Sequence, residues 1–409
     1  KVDLKLQRTS SQTYLKKDKI KSEIIDDVDV MENSLKLNLY SNDISINVET
    51  TAYEDLNKNK SDKYEFIFPK IDLVKKLNNK TNLNGNFLFE SKNLIRNYNT
   101  NIFEKSNVND LIFTSYPTIA GIGFYNNYEF ILKNSNSDGK KSKNFKNQEN
   151  IYVSGLLQLN SSLPLVKERE NQKNILKPKL SLKIAPSHTK DYKSEESIFD
   201  VNNIFSINRV SKDDTIVGGI SLTYGSDYLI INKDDNRELL SFKFANNLRL
   251  KENNDLTHSY QVGQKTSNFF TETSYNPNNF FNIKYSSSFR NNFSEISNES
   301  LETEFKFMNI TTSFNYLNEN NTSKKNSYLS NTTSYNINDS EVLMFSTRED
   351  KTTNLTEFYK LIYEYRNDCL AASIEYNKDY YNDRDIKPEE SIFLKLRIIP
   401  FGESSSPNL

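Results

Sequence analysis

From Gly263 to the C-terminus the chain repeats one pattern: short segments in which apolar and polar residues take turns, joined by connections that are alternately very short and longer. In residues 391–399, Ile392, Leu394, Leu396 and Ile398 fall on one side of an extended chain, and Phe393, Lys395 and Arg397 on the other. Residues 355–366 repeat it, with Tyr359, Leu361, Tyr363 and Tyr365 set against Lys360, Ile362, Glu364 and Arg366. Beyond a tight Asn367-Asp368 turn, Leu370, Ala372, Ile374 and Tyr376 alternate with Cys369, Ala371, Ser373, Glu375 and Asn377. A side-chain period of two with one apolar face predicts antiparallel strands that meet hydrocarbon on one side and water on the other. On this register Glu364, Arg366, Glu375, Lys395 and Arg397 face an aqueous lumen.

Read in this way along its whole length, the chain predicts strands near 1–8, 28–41, 44–54, 62–75, 82–92, 110–125, 128–134, 150–165, 175–186 and 214–231. Further strands follow near 238–249, 264–275, 280–290, 297–307, 310–318, 326–337, 340–349, 355–366, 369–380 and 391–399. That is about 20 strands, in the manner of antiparallel outer-membrane barrels. Tight connections are expected at Asn42-Asp43, Asn126-Asn127, 276–279, Met308-Asn309, Asn338-Asp339 and Asn367-Asp368, because Asn and Asp tolerate the positive φ of two-residue hairpins. Longer polar loops are expected at 9–27, 93–109, 135–149, 187–213, 251–263, 319–325 and 381–390. With short turns in the periplasm and long loops outside, the last strand ends in the periplasm. The connection 166–174 is long for a periplasmic turn, and Pro69, Pro117 and Pro164 mark bulges or bends. The fold class is therefore all-β, a large antiparallel transmembrane β-barrel occupying residues 1–402, with 403–409 as a C-terminal tail.

Composition supports this over the globular and disordered alternatives. Only 35% of the 409 residues are hydrophobic and Trp is absent, a poor supply for dry cores. Yet 24 Tyr and 26 Phe are too many aromatics for a solvating chain. A barrel needs only every second residue apolar, with aromatic girdles at the lipid boundaries. Lys and Arg total 53 against 54 Asp and Glu, so no electrostatic footprint for nucleic acid is visible. No run reaches the roughly 18 apolar residues of a membrane-spanning helix. The chain opens on Lys1-Val2-Asp3-Leu4 without a signal peptide, and is expected to be a piece lacking its N-terminus.

Catalysis has little to work with, and neither enzyme activity nor a cofactor is expected. The 2 His, His188 and His258, sit apart in polar loop-like stretches and read as solvated. No Gly-x-Ser-x-Gly elbow, Gly-rich phosphate loop or His/Cys metal spacing is present. Gly218-Gly219 reads as a bulge or a close backbone approach. Asp213-Asp214 and Lys233-Asp234-Asp235 read as solvated turns, with divalent-cation binding as the weaker alternative. Cys369, the 1 Cys, follows a tight turn on the lumen-facing register, and a lone thiol in an exported protein suggests a disulfide partner elsewhere. A buried unpaired thiol is the alternative.

The run Tyr363-Glu364-Tyr365-Arg366-Asn367-Asp368-Cys369-Leu370-Ala371, with the closing Leu396-Arg397-Ile398-Ile399-Pro400-Phe401-Gly402, resembles the C-terminus of the LptD family of lipopolysaccharide-assembly proteins. Leu6-Gln7-Arg8-Thr9-Ser10-Ser11-Gln12-Thr13-Tyr14-Leu15, Phe68-Pro69-Lys70-Ile71-Asp72 and Leu176-Lys177-Pro178-Lys179-Leu180 are similar to earlier stretches of the family barrel. Ile198-Phe199-Asp200, then Asn203-Ile204-Phe205-Ser206-Ile207-Asn208-Arg209 and Gly218-Gly219 are similar to its long loop and return strand. The resemblance implies a barrel of about 26 strands, of which about 20 lie here, so that the sheet stays incompletely closed. It implies an outer-membrane translocon that receives lipopolysaccharide from the periplasm and inserts it into the outer leaflet. A general porin or gated receptor barrel is the alternative. It implies as partners lipopolysaccharide, outer-membrane lipids, an LptE-like plug lipoprotein, and an LptA-like periplasmic bridge reached through an N-terminal jellyroll absent here. Relatives tie that jellyroll to the barrel by disulfides near the position of Cys369. It also implies a lateral gate, one side of which is Ser391, Ile392, Phe393, Leu394, Lys395, Leu396, Arg397, Ile398 and Ile399.

Overall fold

A computed structural model describes residues 1–17, 27–186, 188–193, 197–320, 325–380, 387–398 and the backbone of 402–405. The alternating pattern becomes a single 23-stranded antiparallel sheet, the wall of a large β-barrel. It begins with β1 (Val2–Lys5), β2 (Val30–Tyr40), β3 (Ile44–Asp55), β4 (Tyr64–Leu77), β5 (Gly85–Tyr98) and β6 (Ile102–Ser115). A short β7 (Thr118–Ala120) carries the line of β6 past Pro117, and β8 (Phe124–Lys140) pairs with both. In the same way β10 (Leu165–Glu168) carries β9 (Asn150–Ser162) past Pro164, and β11 (Gln172–Ala185) pairs with both. Next come β12 (Gly219–Asn232), β13 (Glu238–Arg249), β14 (Phe269–Asn278), β15 (Phe281–Phe289), β16 (Ile296–Phe307) and β17 (Ile310–Asn320). The meander continues through β18 (Lys325–Asn338), β19 (Glu341–Asp350), β20 (Leu355–Arg366), β21 (Leu370–Asp379), β22 (Glu389–Ile398) and β23 (Gly402–Ser405). Each strand pairs with the next in line, and among the described residues no ladder joins β1 to β22 or β23.

The two faces of the wall differ as the periodicity requires. On β22, Leu394 is 48% exposed on the outer face while its neighbour Phe393 is 1% exposed on the inner face. The outer face is apolar: Phe130 and Leu132 of β8, Leu176 and Leu180 of β11, and Leu361 of β20 are all exposed there. The inner face is polar, and from β5 to β14 many of its polar groups are covered by chain that folds inward.

The strands 238–249 and 355–366 fall where the pattern puts them. The three prolines mark irregularities: Pro69 lies where the β3–β4 and β4–β5 registers shift, and Pro117 and Pro164 break strands. Several connections differ from the reading: 135–140 of the expected loop 135–149 continue β8, and the expected long connection 166–174 shrinks to 169–171 because β10 and β11 occupy the rest. Two differences have a clear physical reason. Residues 93–109 are strand on both sides of a three-residue turn in which Asn99 and Thr100 take positive φ. Their outer-face side chains are largely polar: Asn107 donates to Asn93, and Asn109 and Asn136 bond Asn107 and Asn134. With polar residues on both faces the apolar alternation is lost there, so the stretch reads as loop. Asn126-Asn127 in turn lies inside β8, and the chain there turns at 121–123, after β7. The two shifts compensate, so turns keep their alternation between the two rims. At the C-terminus, residues 402–405 fold back onto β22, with Gly402 opposite Ile398 and Ser405 opposite Lys395, so the tail contributes a strand.

Candidate functional site

The described residues of the connection between β11 and β12, numbers 186–218, do not stay above the wall. They turn in and lie on its polar face. The reason begins with one row of inward-facing side chains. Gln158 of β9 stands opposite Lys183 of β11, Lys183 opposite Ser221 of β12, and Ser221 opposite Arg249 of β13. All four are buried, and all four hold the segment. Gln158 Nε2 donates to the Phe205 carbonyl at 2.9 Å, and Lys183 Nζ donates to the Ser206 carbonyl. Arg209 Nη2 donates to Ser221 Oγ at 2.6 Å, and Arg249 Nη2 donates to the Gly218 carbonyl. In the next row Arg209 Nη1 donates to Asn247 Oδ1 at 2.6 Å, and Thr223 Oγ1 donates to the same oxygen at 3.1 Å. An unpaired polar group buried here would cost about 1–3 kcal/mol, and these bonds spare most of the wall's inward groups that cost, though Gln158 Oε1, Asn247 Nδ2 and Arg209 Nε have no partner among the described residues.

Apolar packing gives the segment a small core of its own. Phe199, Val201, Ile204 and Val210 pack with Ala245 and Phe270 of the wall. Leu256, Tyr260 and Val262 of the following inward connection, 250–268, close over them. Ile204 is fully buried, and Tyr260 meets Phe199 and Phe270 with ring centroids 5.8 and 5.9 Å apart. Two glycines admit this approach. A Cβ on Gly225 would meet the Phe205 ring at 3.1 Å. Gly219 takes φ +93°, and a Cβ there would meet Arg249 Nη2 at 2.9 Å, which is the close backbone approach read from the Gly-Gly pair.

Charged groups fix the end of the segment. Asp213 Oδ1 accepts from Lys92 of β5 at 2.6 Å, while Lys133 of β8 donates to the Asp213 carbonyl at 2.5 Å and to Asp110 at 2.6 Å. Asp214 pairs with Lys190 and accepts from Tyr192 Oη at 2.7 Å. Burial raises the Asp214 carboxyl, but the charge of Lys190 and the hydrogen bonds outweigh it and hold the group below the usual carboxylate range. Burial and the same carboxylate push the Tyr192 phenol upward. Asp213-Asp214 is thus a paired anchor, which corrects the reading of a solvated turn. His188 and His258 are exposed, as expected of loop histidines. His188 meets the Tyr152 ring in a tilted arrangement with centroids 5.3 Å apart, beside a cavity of about 640 Å³ lined by Lys143, Lys146 and Asp191 among others.

One property of the site stands out. Lys183, Arg209 and Arg249 are buried together, yet among the described residues no carboxylate oxygen lies within 4.0 Å of any of them. Nε of Arg209 has no acceptor. Burial and the neighbouring charge of Arg249 push the Arg209 guanidinium down to about 9, still protonated at neutral pH.

The residues read from the C-terminal strands share this face. Following the registers from Phe270 through Ser288, Asn298, Glu319 and onward leads to Lys360, Ile362 and Glu364 of β20. Glu364 stands opposite Ser373, which stands opposite Lys395, and Arg366 aligns with Ala371 and Arg397. Glu375 is buried and ties two strands together, to Lys360 at 3.1 Å and Lys395 at 2.9 Å. Arg366 and Arg397 are exposed. Cys369 is exposed in its turn, where Asn367 Oδ1 accepts from its backbone N–H at 2.9 Å. Ile399 lies outside the described residues. The row on β9–β13 was not legible: the alternation of Lys177, Lys179 and Lys183 with leucines gives the polar face, but not what covers it.

A family model described as LptD, LPS transport system D, matches residues 1–344. No curated protein matches the chain. Solved structures match over most of it at low identity. The ferric enterobactin receptor PfeA of Pseudomonas aeruginosa, in complex with enterobactin, is 10% identical with a TM-score of 0.39, covering 90% of this chain and 71% of that one. The siderophore receptor PirA of Acinetobacter baumannii is 8% identical with a TM-score of 0.39, over 90% and 71%. PirA of Pseudomonas aeruginosa is 10% identical with a TM-score of 0.41, over 93% and 72%. At these scores the likeness carries no argument.

Proposed function

The chain belongs to the LptD family, LPS transport system D, an outer-membrane family of transport proteins rather than of enzymes, and from that premise we propose how its barrel moves lipopolysaccharide. The substrate is an amphiphile whose acyl chains favour lipid and whose sugars favour water. A wall that is apolar outside and polar inside offers each part its own solvent. The sugars pass through the lumen, and the acyl chains leave sideways into the outer leaflet through an opening next to β22. The family match over 344 residues carries this reading, and the two-faced wall supports it.

In this scheme Ser391, Ile392, Phe393, Leu394, Lys395, Leu396, Arg397, Ile398 and Ile399 form one side of the opening. Lys395 and Arg397 offer cations to anionic headgroups. Lipopolysaccharide arrives from periplasmic Lpt components, and an LptE-like lipoprotein takes the part of the inner wall, β16–β22, that segment 186–218 leaves uncovered. The test uses the pairing of Lys395 with Glu375. Lys395→Glu alone buries carboxylates together and should weaken the barrel itself, since breaking a buried pair costs about 3–5 kcal/mol. Exchanging the pair, with Glu375→Lys and Lys395→Glu, keeps that attraction and moves the cation off β22, and Lys360→Gln made with it removes the repulsion that Lys360 would otherwise meet at position 375. If the cation serves transport, the exchanged protein is present at normal level in the outer membrane and still lets large antibiotics enter cells. Normal exclusion of the antibiotics would remove Lys395 from the route.

A further inference from the structure

We propose that Lys183, Arg209 and Arg249 form a phosphate site on the inner wall, closed by segment 186–218 and taken over by a phosphate of lipopolysaccharide when the segment swings aside. This rests on the transport reading and deepens it by naming a substrate group and a gate.

Lys183 and Arg249 occupy one row on β11 and β13, with Ser221 of β12 between them. Adjacent strands lie about 4.8 Å apart, so the two cations flank a space of about 10 Å. Arg209 enters that space from the segment and seats on Ser221 Oγ. Three basic groups thus converge with no carboxylate oxygen within 4.0 Å among the described residues; Glu129 of β8, in register with Gln158 in the same row, acts on Lys183 only at longer range. Their acceptors are neutral: the carbonyls of Ser206 and Gly218, the hydroxyl of Ser221 and the amide of Asn247. Hydrogen bonds from cations to anionic oxygens are roughly twice as strong as neutral ones, and guanidinium groups bind phosphate bidentately. The carbonyls therefore stand in for a better ligand. Arg209 Nε, buried and without an acceptor, is a donor left over by the stand-in arrangement.

The arrangement also supplies a trigger. Mutual repulsion of the three cations opposes the closed segment, while its apolar core and the Asp213 and Asp214 pairs favour it. An anion that binds the exposed row shifts the balance by its preference for the open form, and a ligand without that preference shifts nothing. The wall residues Lys183 and Arg249 remain in place when the segment leaves.

The test measures segment position in the full chain in nanodiscs, with Cys369→Ser and spin labels at Asn202→Cys on the segment and Leu159→Cys on the exposed outer face of β9. Phosphorylated lipopolysaccharide should lower the closed-distance population about tenfold, against little change with dephosphorylated lipopolysaccharide. Lys183→Gln with Arg249→Gln should abolish the response. Arg249→Lys, which keeps the charge, should retain most of it and shows that loss in the double variant is not misfolding. An equal response to dephosphorylated lipopolysaccharide, or a parent-like response in the double variant, overturns the proposal. Inorganic phosphate alone, if it opens the segment as fully, assigns the site to the free ion and overturns the lipid source. Binding of both lipopolysaccharides is titrated in parallel: binding without segment movement sinks only this inference, whereas no binding at all sinks the transport reading.

Discussion

At the residue scale, Lys183 and Phe393 show what a pattern of two can and cannot tell. Both were assignable to the inner face from alternation alone, and both are there. Alternation places a side chain on a face but is silent about what folds onto that face. Lys183 is 2% exposed because a distant segment covers it, and no signal within β11 marks that contact. Asp214 shows the same limit, since its partners Lys190 and Tyr192 lie over twenty residues upstream. Its carboxyl is held below the ordinary range, so its pairs stabilise the closed segment at neutral pH. That contribution is present above the unfolded value of about 3.9 and fades as pH falls through the lower folded value. Acidification below about pH 4 should thus loosen the segment, raising proteolytic cleavage within 197–218. Asp214→Asn should show the raised cleavage already at pH 7, with little further acid response between pH 5 and 3; a parent-like acid profile would assign the effect to other groups.

At the scale of elements, β13 and β20 were legible to the residue because in each most apolar and polar residues alternate, as in Leu240-Ser241-Phe242-Lys243-Phe244 and Tyr359-Lys360-Leu361. β5, β6 and β8 were misread where Asn93, Asn107, Asn109, Asn134 and Asn136 bond one another on the outer face. Polar on both sides, such strands carry no contrast, and only the ladder of backbone partners reveals them. The segment 186–218 is the opposite case: it reads as a polar loop, yet it hides Phe199, Val201, Ile204 and Val210 among its polar residues. Those four make it an element with a core of its own. Ile204→Ala should cost about 2–5 kcal/mol locally, because the fully buried site is closed by packed neighbours. Hydrogen exchange should then quicken across 199–210 and 250–268 while β16–β22 remains as protected as in the parent. Uniform quickening over the whole sheet would mean that segment and wall unfold as one unit.

At the scale of the whole molecule, the segment's contacts are unevenly spread. It reaches from Lys92 on β5 to Phe270 on β14, and leaves the inner face of β16–β22 to its own ion pairs, such as Lys360–Glu375–Lys395. One part of the wall is therefore filled from within and the other is open to a separate occupant. This division follows from where the connections fall. Both inward stretches, 186–218 and 250–268, leave the same rim, being joined through β12, a turn and β13, and they meet around Tyr260. Replacing 197–212 with a short Gly-Ser linker removes Phe199, Ile204 and Arg209 but keeps Asp213, Asp214 and every strand. In planar bilayers, with no other subunit present, that variant should conduct ions in larger steps than the parent, since its polar lumen loses its inner filling while the ladders persist. The same variant should keep the parent's melting temperature to within a few degrees, because the ladders rather than the segment hold the sheet. Equal conductance at full barrel content would show that the lumen is closed by something other than this segment, and the gating role drawn from its cationic seat would fall with it.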